Sequence, residues 1–240
     1  MSRKAKRLQR QAAREQQFQQ EKWQKEQVQL EPIAPRGEAQ KAYFNALLRA
    51  EMTIAVGPAG SGKTYLPTAL AVNMLLAGDI DKIVLCRPAV EAGGEKHGFM
   101  PGGLFEKVQN WMLPFLDVIE ERVGRQMMGT WIRDGKIEFM PFSFMRGRSL
   151  KNVFIILDEA QNTTVPQMKL FLTRIGEGTR VVINGDVTQR DIREPDGLSR
   201  AIEMVDKFDM PVEIVHFTSA DIVRSGRCQA WVEAFENYPT

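Results

Sequence analysis

The sequence has 240 residues, of which 43% are hydrophobic and 26% are charged, and its formal net charge at pH 7 is +2. This size allows one sizeable core in one or two domains, and the absence of an apolar run of about 18 residues excludes a membrane span. The charged N-terminus is unlike a signal peptide, so a cytoplasmic protein is expected, and two cysteines and two histidines without ligand spacing predict neither a disulfide framework nor a zinc site.

The first 30 residues are basic and poor in apolar side chains, with eight Lys or Arg against three Glu. Such a segment cannot bury enough surface to offset its ordering entropy, so disorder or a solvated helix is the simplest expectation. The functional alternative is a basic arm that follows a nucleic-acid backbone through counterion release. We therefore predict an N-terminal extension over residues 1–36 and a globular domain over residues 37–240.

The next elements are a helix, a short strand and a second helix. Residues 38–48 carry apolar side chains at helical spacing after a proline-containing linker. Residues 52–56 are apolar and β-branched, and residues 65–77 form an apolar helical run that ends at Gly78. Pro67 removes a backbone donor in the first turns of that helix, which predicts a tight or slightly distorted first turn.

Between this strand and this helix lies a complete phosphate-binding pattern, G-x-x-x-x-G-K-[ST]. Its glycines allow backbone N–H groups to surround phosphate oxygens, and the following helix presents its positive end. Lys63 adds a charge toward the β- and γ-phosphates, and the Thr64 hydroxyl can bind Mg²⁺. The predicted nucleotide-binding residues of the loop are Gly57, Pro58, Ala59, Gly60, Ser61, Gly62, Lys63 and Thr64. The pattern predicts that the chain binds a nucleoside triphosphate.

Strand-like and helical stretches alternate through the rest of the chain. Strands are predicted at 82–87, 136–140, 153–157, 180–184 and 212–217, and helices at 104–123, 165–175 and 197–208. This alternation predicts an α/β domain whose mostly parallel sheet is covered by helices on both faces. Ligands of such sheets lie beyond the carboxyl ends of the strands, where the phosphate-binding pattern also falls.

Two of these strands end in acidic residues. Asp158 and Glu159 follow the strand at 153–157, and together with the phosphate-binding pattern this pair indicates a second nucleotide signature of the Walker B type, with acids that only form a turn as the alternative. Asp158 is predicted to hold Mg²⁺, and Glu159 to orient or deprotonate the attacking water. The strand at 180–184 ends at Gly185 and Asp186, so Asp186 and Gln189 are candidates for sensing the γ-phosphate or water, with a simple Gly-Asp turn as the alternative.

Aromatic and basic residues alternate before the acidic pair. Phe142, Phe144, Arg146 and Arg148 combine ring faces with guanidinium groups, a composition that suits stacking on bases and contacts with the phosphates of a single strand. The equal alternative is that the phenylalanines belong to the core and the arginines are structural.

Together these segments resemble a known family. The phosphate-binding pattern, residues 158–164, residues 185–189 and residues 145–150 look like the PhoH-like ATPases, P-loop proteins similar to the first RecA-like domain of superfamily-one helicases. The resemblance extends from Gly37 to Tyr238 and implies a single RecA-like P-loop NTPase domain.

The resemblance also implies roles for three further residues. Gln40 occupies the place of an adenine-reading glutamine, Arg87 the place of a nucleic-acid contact, and Arg224 that of an arginine contacting the γ-phosphate. Too few residues follow Arg224 for a second RecA-like domain. We therefore expect a homo-oligomeric ring, for example a hexamer, in which Arg224 of one subunit completes the site of its neighbour. A surface or helix-capping arginine is the alternative.

The predicted function is Mg²⁺-dependent ATP binding and hydrolysis coupled to moving or remodelling RNA or single-stranded DNA. Hydrolysis is expected because Asp158 and Glu159 are both present. One alternative is a nucleotide-dependent assembly or signalling switch that docks through residues 1–30 and ignores RNA. Another is a small-molecule kinase, for which the sequence shows no acceptor pocket or lid.

Overall fold

The computed structural model describes residues 30–88, 104–192 and 195–223, together with Trp231 and Ala234. Within these ranges helices and strands alternate, as the sequence predicts. In chain order they are α1 (Gly37–Arg49), β1 (Met52–Val56), α2 (Tyr65–Ala77), β2 (Lys82–Cys86), α3 (Leu104–Arg133), β3 (Ile137–Phe139), β4 (Val153–Leu157), α4 (Val165–Leu172), β5 (Arg180–Gly185), α5 (Gly197–Phe208) and β6 (Glu213–His216).

The six described strands form one parallel sheet in the order β3-β2-β4-β5-β1-β6. The predicted α/β architecture is therefore confirmed. Strand β4 is buried at every position, as expected for a parallel strand with both faces covered. Strand β5 lies between β1 and β4, so the three strands that lead into the predicted nucleotide-binding segments are neighbours.

Two apolar layers cover the sheet, one on each face. Phe154 and Ile156 of β4 pack into a cluster with α1, α2 and α3, to which Phe115 contributes a fully buried ring. Ile155 points to the other face and joins a cluster with α4 and α5 that includes Phe171. Burial of each such side chain contributes roughly 1.5–3 kcal/mol to stability. Because side chains alternate between the two faces, this burial holds β4 in one orientation and so determines where the residues that follow it lie at the edge of the sheet.

Local signals explain why α2 ends and α5 begins where the sequence predicts. Gly78 has a φ of 84°, and its N–H donates to the carbonyls of Met74 and Leu75 at 3.0 and 3.3 Å, which ends α2. The Asp196 carboxylate accepts from the N–H of Ser199 at 2.7 Å, which caps the start of α5.

Two predicted helix ends are wrong. The predicted end of α3 at Val123 marks a kink, because Gly124 has φ 76° and ψ 156° and the chain then continues as helix to Arg133. Helix α4 stops at Leu172 instead of Ile175, since Ile175 forms an isolated parallel bridge with Leu150. In both cases contacts with the rest of the fold decide the end of the helix.

Searched over the described residues, no helix has both the length and the apolar character needed to cross a membrane. Most of the predicted basic arm, residues 1–29, falls outside the described part of the chain.

Candidate nucleotide-hydrolysis site

The candidate site lies where β1, β4 and β5 end, at the carboxyl edge of the sheet. A cleft of about 880 Å³ opens at this edge. Of the residues predicted from the sequence, those that line it are Gln40, Ala59, Gly60, Gly62, Lys63, Thr64, Asp158, Glu159, Asp186 and Gln189. Segments distant in sequence thus converge on one cleft.

Two positions of the loop after β1 have no room for a side chain, so glycine is required there. Gly57 and Gly62 have φ values of 146° and 89°, in the region that side chains disfavour. A Cβ at Gly57 would lie 2.4 Å from the Phe217 carbonyl oxygen, and one at Gly62 would lie 2.7 Å from Nε2 of Gln40. The loop is therefore wedged between the end of β6 and helix α1, which holds its backbone close to the cleft.

Lys63 places a buried ammonium group at the centre of this loop. Its Nζ donates to the carbonyl oxygens of Gly57 at 2.5 Å and Pro58 at 2.7 Å. Burial lowers the pKa of Lys63, while the negative charges of Asp158, Asp186 and Glu159 raise it. The surrounding carboxylates thus favour a charged lysine, and the lysine in turn offsets the negative charge of the cleft.

Asp158 and Thr64 meet at the base of the cleft. The Thr64 hydroxyl lies 3.4 and 3.3 Å from Oδ1 and Oδ2 of Asp158. Burial, with a further contribution from Glu159, raises the pKa of Asp158 to about 6, against the opposing effects of Arg87, Lys63 and Thr64. A buried carboxylate that resists ionisation beside a hydroxyl is a donor set that Mg²⁺ suits, because a cation offsets the unfavourable negative charge.

No cluster of three or more His, Cys, Asp or Glu suited to a metal occurs in the described residues. At phosphate sites Mg²⁺ is usually bound through one or two protein ligands together with phosphate oxygens and water. Thr64 and Asp158 are residues that could hold it in this way.

Glu159 has an uncommon backbone and a fixed carboxylate. Its φ and ψ are 53° and 40°, a left-handed conformation that costs a residue with a side chain about 1–3 kcal/mol and tends to occur at functional sites. Its Oε1 accepts from Nη2 of Arg87 at 2.9 Å, and its Oε2 accepts from Nε2 of Gln161 at 2.6 Å. The side chain remains 39% exposed, so solvent can reach the carboxylate.

Gln161 is a residue of the site that the sequence did not single out. Besides the bond to Glu159, its Nε2 donates to the Gln189 carbonyl at 3.2 Å, and its Oε1 accepts from the Asp186 N–H at 3.0 Å. One buried amide therefore links the segments after β4 and β5. Its signals in the sequence were its place two residues after Glu159 and its membership of the segment 158–164 that resembles the family.

Asp186 and Gln189 belong to one turn after β5. Oδ1 of Asp186 accepts from the N–H and the hydroxyl of Thr188 at 3.0 and 2.6 Å. The other oxygen, Oδ2, is buried and has no hydrogen-bond partner among the described residues. The Gln189 N–H donates to the Asp186 carbonyl at 3.0 Å. The simple turn that was the alternative prediction is thus present, and it also places a carboxylate at the cleft.

Gln40 lies against the phosphate-binding loop. Its Nε2 donates to the Ser61 carbonyl at 2.9 Å, and its Oε1 accepts from the Arg36 N–H at 2.8 Å. The side chain lines the cleft but is mostly buried by these contacts. Adenine reading by Gln40 stays a prediction, and the bonds show that Gln40 also holds the loop.

Of the predicted nucleic-acid residues, Phe142 and Arg148 make contacts within the fold, whereas Phe144 and Arg146 are exposed. Phe142 is buried and packs on Phe171, with ring centroids 6.4 Å apart, so its face is not available for stacking on a base. Arg148 forms a two-point ion pair with Glu138. Phe144 is 54% exposed, and Arg146 is also exposed. Phe144 and Arg146 therefore stay candidates for contacting nucleic acid.

Arg224 lies outside the described residues. The residue before it, Val223, lines the cleft, and its N–H donates to the Gly60 carbonyl at 2.9 Å. The chain leading to Arg224 is therefore attached to the phosphate-binding loop of the same subunit.

Comparison with known proteins identifies relatives over most of the chain. A family model described as "PhoH-like protein" matches residues 32–236. Protein PhoH of Escherichia coli strain K12 is 43% identical over 208 residues, covering 85% of this chain and 58% of its own length. The PhoH-like protein of Bacillus subtilis strain 168 is 42% identical over 199 residues, covering 82% of this chain and 62% of its own. The chain thus spans about three fifths of the length of these curated relatives.

Solved structures with a similar fold include two viral proteins. The large terminase of a thermophilic bacteriophage superimposes with a TM-score of 0.52 and 11% identity, covering 86% of this chain and 51% of the terminase. The HK97 bacteriophage large terminase gives a TM-score of 0.51 at 11% identity, covering 87% of this chain and 48% of its own. At this identity the likeness shows the fold alone.

Proposed function

The chain belongs to the PhoH-like protein family, and from that premise we propose that it is a cytoplasmic Mg²⁺-dependent ATPase whose turnover is coupled to single-stranded RNA or DNA. The observation that carries hydrolysis is the position of Glu159, a partly exposed carboxylate at the cleft, next in sequence to the candidate Mg²⁺ ligand Asp158. Nucleotide binding alone requires no such carboxylate.

The residues of the cleft divide the work of phosphoryl transfer. Backbone N–H groups of the loop and the ammonium of Lys63 bind the phosphates, and Thr64 and Asp158 would hold Mg²⁺, which would supply positive charge to offset the negative charge of the phosphate oxygens. A carboxylate oxygen of Glu159 accepts the proton of the attacking water as the new O–P bond forms and the bond from the γ-phosphorus to the bridging oxygen breaks, so that ADP leaves with that oxygen and the electron pair. Gln161 bonds both to Glu159 and to the turn that carries Asp186 and Gln189, which supports the assignment of these two residues as sensors of the γ-phosphate or water.

The topology favours a nucleic-acid interface at the same edge of the sheet. Strands β2 and β3 are parallel neighbours, with Leu85 opposite Phe139. Arg87 follows β2, and the exposed Phe144 and Arg146 follow β3. Because these strands are parallel, the three residues follow the same carboxyl edge of the sheet at which the nucleotide cleft opens. Arg87 in addition contacts Glu159 directly, which connects this surface to hydrolysis.

We expect single-stranded RNA or DNA to stimulate ATP hydrolysis and Phe144→Ala to raise the polymer concentration needed for half-maximal stimulation about 10-fold. A base stacked on an aromatic ring contributes roughly 1–3 kcal/mol, and the basal rate does not depend on that ring. The measurement is phosphate release from Mg²⁺-ATP with and without each polymer, with Glu159→Gln as the background. Phe208→Ala, which removes a 63% exposed ring at the end of α5, is the matched control.

Three outcomes separate the proposal from its alternatives. Hydrolysis that ignores both polymers supports the nucleotide-dependent switch. Transfer of phosphate to a metabolite in place of water supports the kinase. Equal stimulation of the wild type and Phe144→Ala contradicts the assignment of Phe144 but leaves the ATPase standing.

The proposal includes a homo-oligomeric ring in which Arg224 of one subunit stabilises transition-state charge in the site of its neighbour. We expect a mixture of Arg224→Ala and Glu159→Gln subunits to regain hydrolysis. In a random ring about one interface in four combines an intact Glu159 with an intact Arg224. The measurement is turnover of the mixture against each variant alone at equal total concentration.

A mixture as inactive as its components contradicts this arrangement. That result favours an arginine that acts within its own subunit, an arrangement supported by the bond between Val223 and Gly60 of the same chain.

A further inference from the structure

Pro67 leaves the carbonyl of Lys63 without a helical donor. In an α-helix the N–H of each residue donates to the carbonyl four positions earlier, and proline has no N–H. The flanking bonds are present, since Leu66 donates to Gly62 at 3.1 Å and Thr68 donates to Thr64 at 3.3 Å. The Lys63 carbonyl therefore needs a partner from outside the helix.

Asn184 of β5 is the nearer of two such partners, since the Tyr43 hydroxyl lies 3.3 Å from the same carbonyl oxygen. Its Nδ2 donates to the Lys63 carbonyl oxygen at 2.7 Å, and its Oδ1 accepts from the Tyr43 hydroxyl at 2.8 Å. Both side chains are completely buried. Because a carbonyl can only accept, the amide nitrogen must face Lys63, and the orientation of Asn184 is unique.

Tyr43 in turn is fixed by its surroundings. Its ring packs edge-on against Phe217 with centroids 5.5 Å apart. Burial raises the pKa of Tyr43 well above its usual value, with a smaller contribution from Asp158, so the hydroxyl stays protonated and remains a donor. A chain of buried hydrogen bonds therefore runs from α1 through β5 to the phosphate-binding loop, and every polar atom in it has a partner.

We infer that Asn184 is a positioning residue for hydrolysis. It fixes the position of Lys63 and Thr64 relative to the catalytic groups that follow β5. An N–H at position 67 would bond the Lys63 carbonyl only to α2, the helix that follows the loop. Asn184 instead ties it to β5, which ends at Gly185, immediately before Asp186. Because Pro67 has no N–H to donate and Asn184 donates instead, the position of the Lys63 carbonyl is set by β5 and not by α2. This inference rests on the proposed ATPase activity.

Replacing Asn184 should affect turnover more than nucleotide binding. The backbone N–H groups of the loop remain in Asn184→Ala, so affinity for the fluorescent analogue mant-ATP should change less than about threefold. A displacement of reacting groups by about 1 Å can reduce a rate roughly 10²-fold. We therefore expect kcat to fall between about 10- and 100-fold, with little change in KM.

A second substitution separates positioning from simple stability. In Pro67→Ala the new N–H should point at the Lys63 carbonyl, because residues 66 and 68 already make helical bonds. In the double variant Asn184→Ala/Pro67→Ala this carbonyl gains a helical donor in place of the lost amide, beside the longer contact from the Tyr43 hydroxyl, so the midpoint of thermal unfolding should move back toward the wild type. The link to β5 is still missing, so kcat should stay low.

The experiment measures kcat, KM, mant-ATP affinity and thermal midpoint for the wild type, both single variants and the double variant. Recovery of kcat in the double variant, an unchanged kcat in Asn184→Ala, or a loss of mant-ATP affinity equal to the loss of kcat would each overturn the inference. If the midpoint does not recover, the split between kcat and mant-ATP affinity in Asn184→Ala decides. A wild type that fails to exceed the Glu159→Gln background refutes the ATPase itself, which is a different outcome.

Discussion

Glu159→Gln is expected to lower kcat for ATP hydrolysis about 10²- to 10³-fold while leaving ATP bound. The amide keeps the size and shape of the side chain but cannot take a proton, and a positioned general base contributes roughly 10²–10⁴-fold. The substitution also changes the pairing with Arg87 and Gln161, both of which donate to the carboxylate oxygens of Glu159 in the wild type. Steady-state hydrolysis and equilibrium binding of mant-ATP would be measured on the same preparation.

Glu121→Gln is the matched control, because Glu121 lines the same cleft as an exposed carboxylate on α3. Its kcat should stay within about twofold of the wild type, since its described hydrogen bond is to the Tyr65 hydroxyl and not to the loop. A Glu159→Gln variant that retains more than a third of wild-type kcat would remove Glu159 from the reaction. Loss of mant-ATP binding in that variant would instead assign it to nucleotide affinity.

Elements with strong local signals could be predicted closely from the sequence. Strand β4 has the predicted bounds because an apolar run stops abruptly at Asp158, and α2 ends as predicted because Gly78 accepts a left-handed conformation. Helix α3 could not be predicted in full, because Gly124 reads locally as a stop. Met127 and Trp131, which follow Gly124, are nevertheless buried in the core, and their burial stabilises the helix beyond this glycine.

The candidate site divides in the same way. The phosphate-binding loop and the acidic pair are contiguous patterns, so their chemistry is legible before any fold is known. Gln161 and Asn184 act across strands, and their contacts exist only because β5 lies between β1 and β4. Phe142 and Phe144 show the limit of a composition argument, because a single turn of 3₁₀ helix buries one ring and exposes the other.

Lys63→Met is expected to weaken mant-ATP binding about 10²-fold and to abolish measurable hydrolysis. Methionine keeps an unbranched chain in the buried site but removes the charge that offsets Asp158, Asp186 and Glu159. Those carboxylates would then face a triphosphate without compensation, and the charge-assisted bonds from Nζ, worth roughly 1.5–3 kcal/mol each, would be lost.

Lys41→Met provides the control for this last prediction, because Lys41 is an exposed lysine of α1 whose ion pair with Glu38 has little expected effect on stability or binding. Binding titrations with and without Mg²⁺ distinguish two sources of the defect in Lys63→Met. If charge in the cleft is decisive, added Mg²⁺ should restore part of the affinity, since the cation neutralises the same phosphates and carboxylates. Affinity within threefold of the wild type in the absence of Mg²⁺ would show that the backbone of the loop alone binds the nucleotide, and would contradict the role assigned to Lys63.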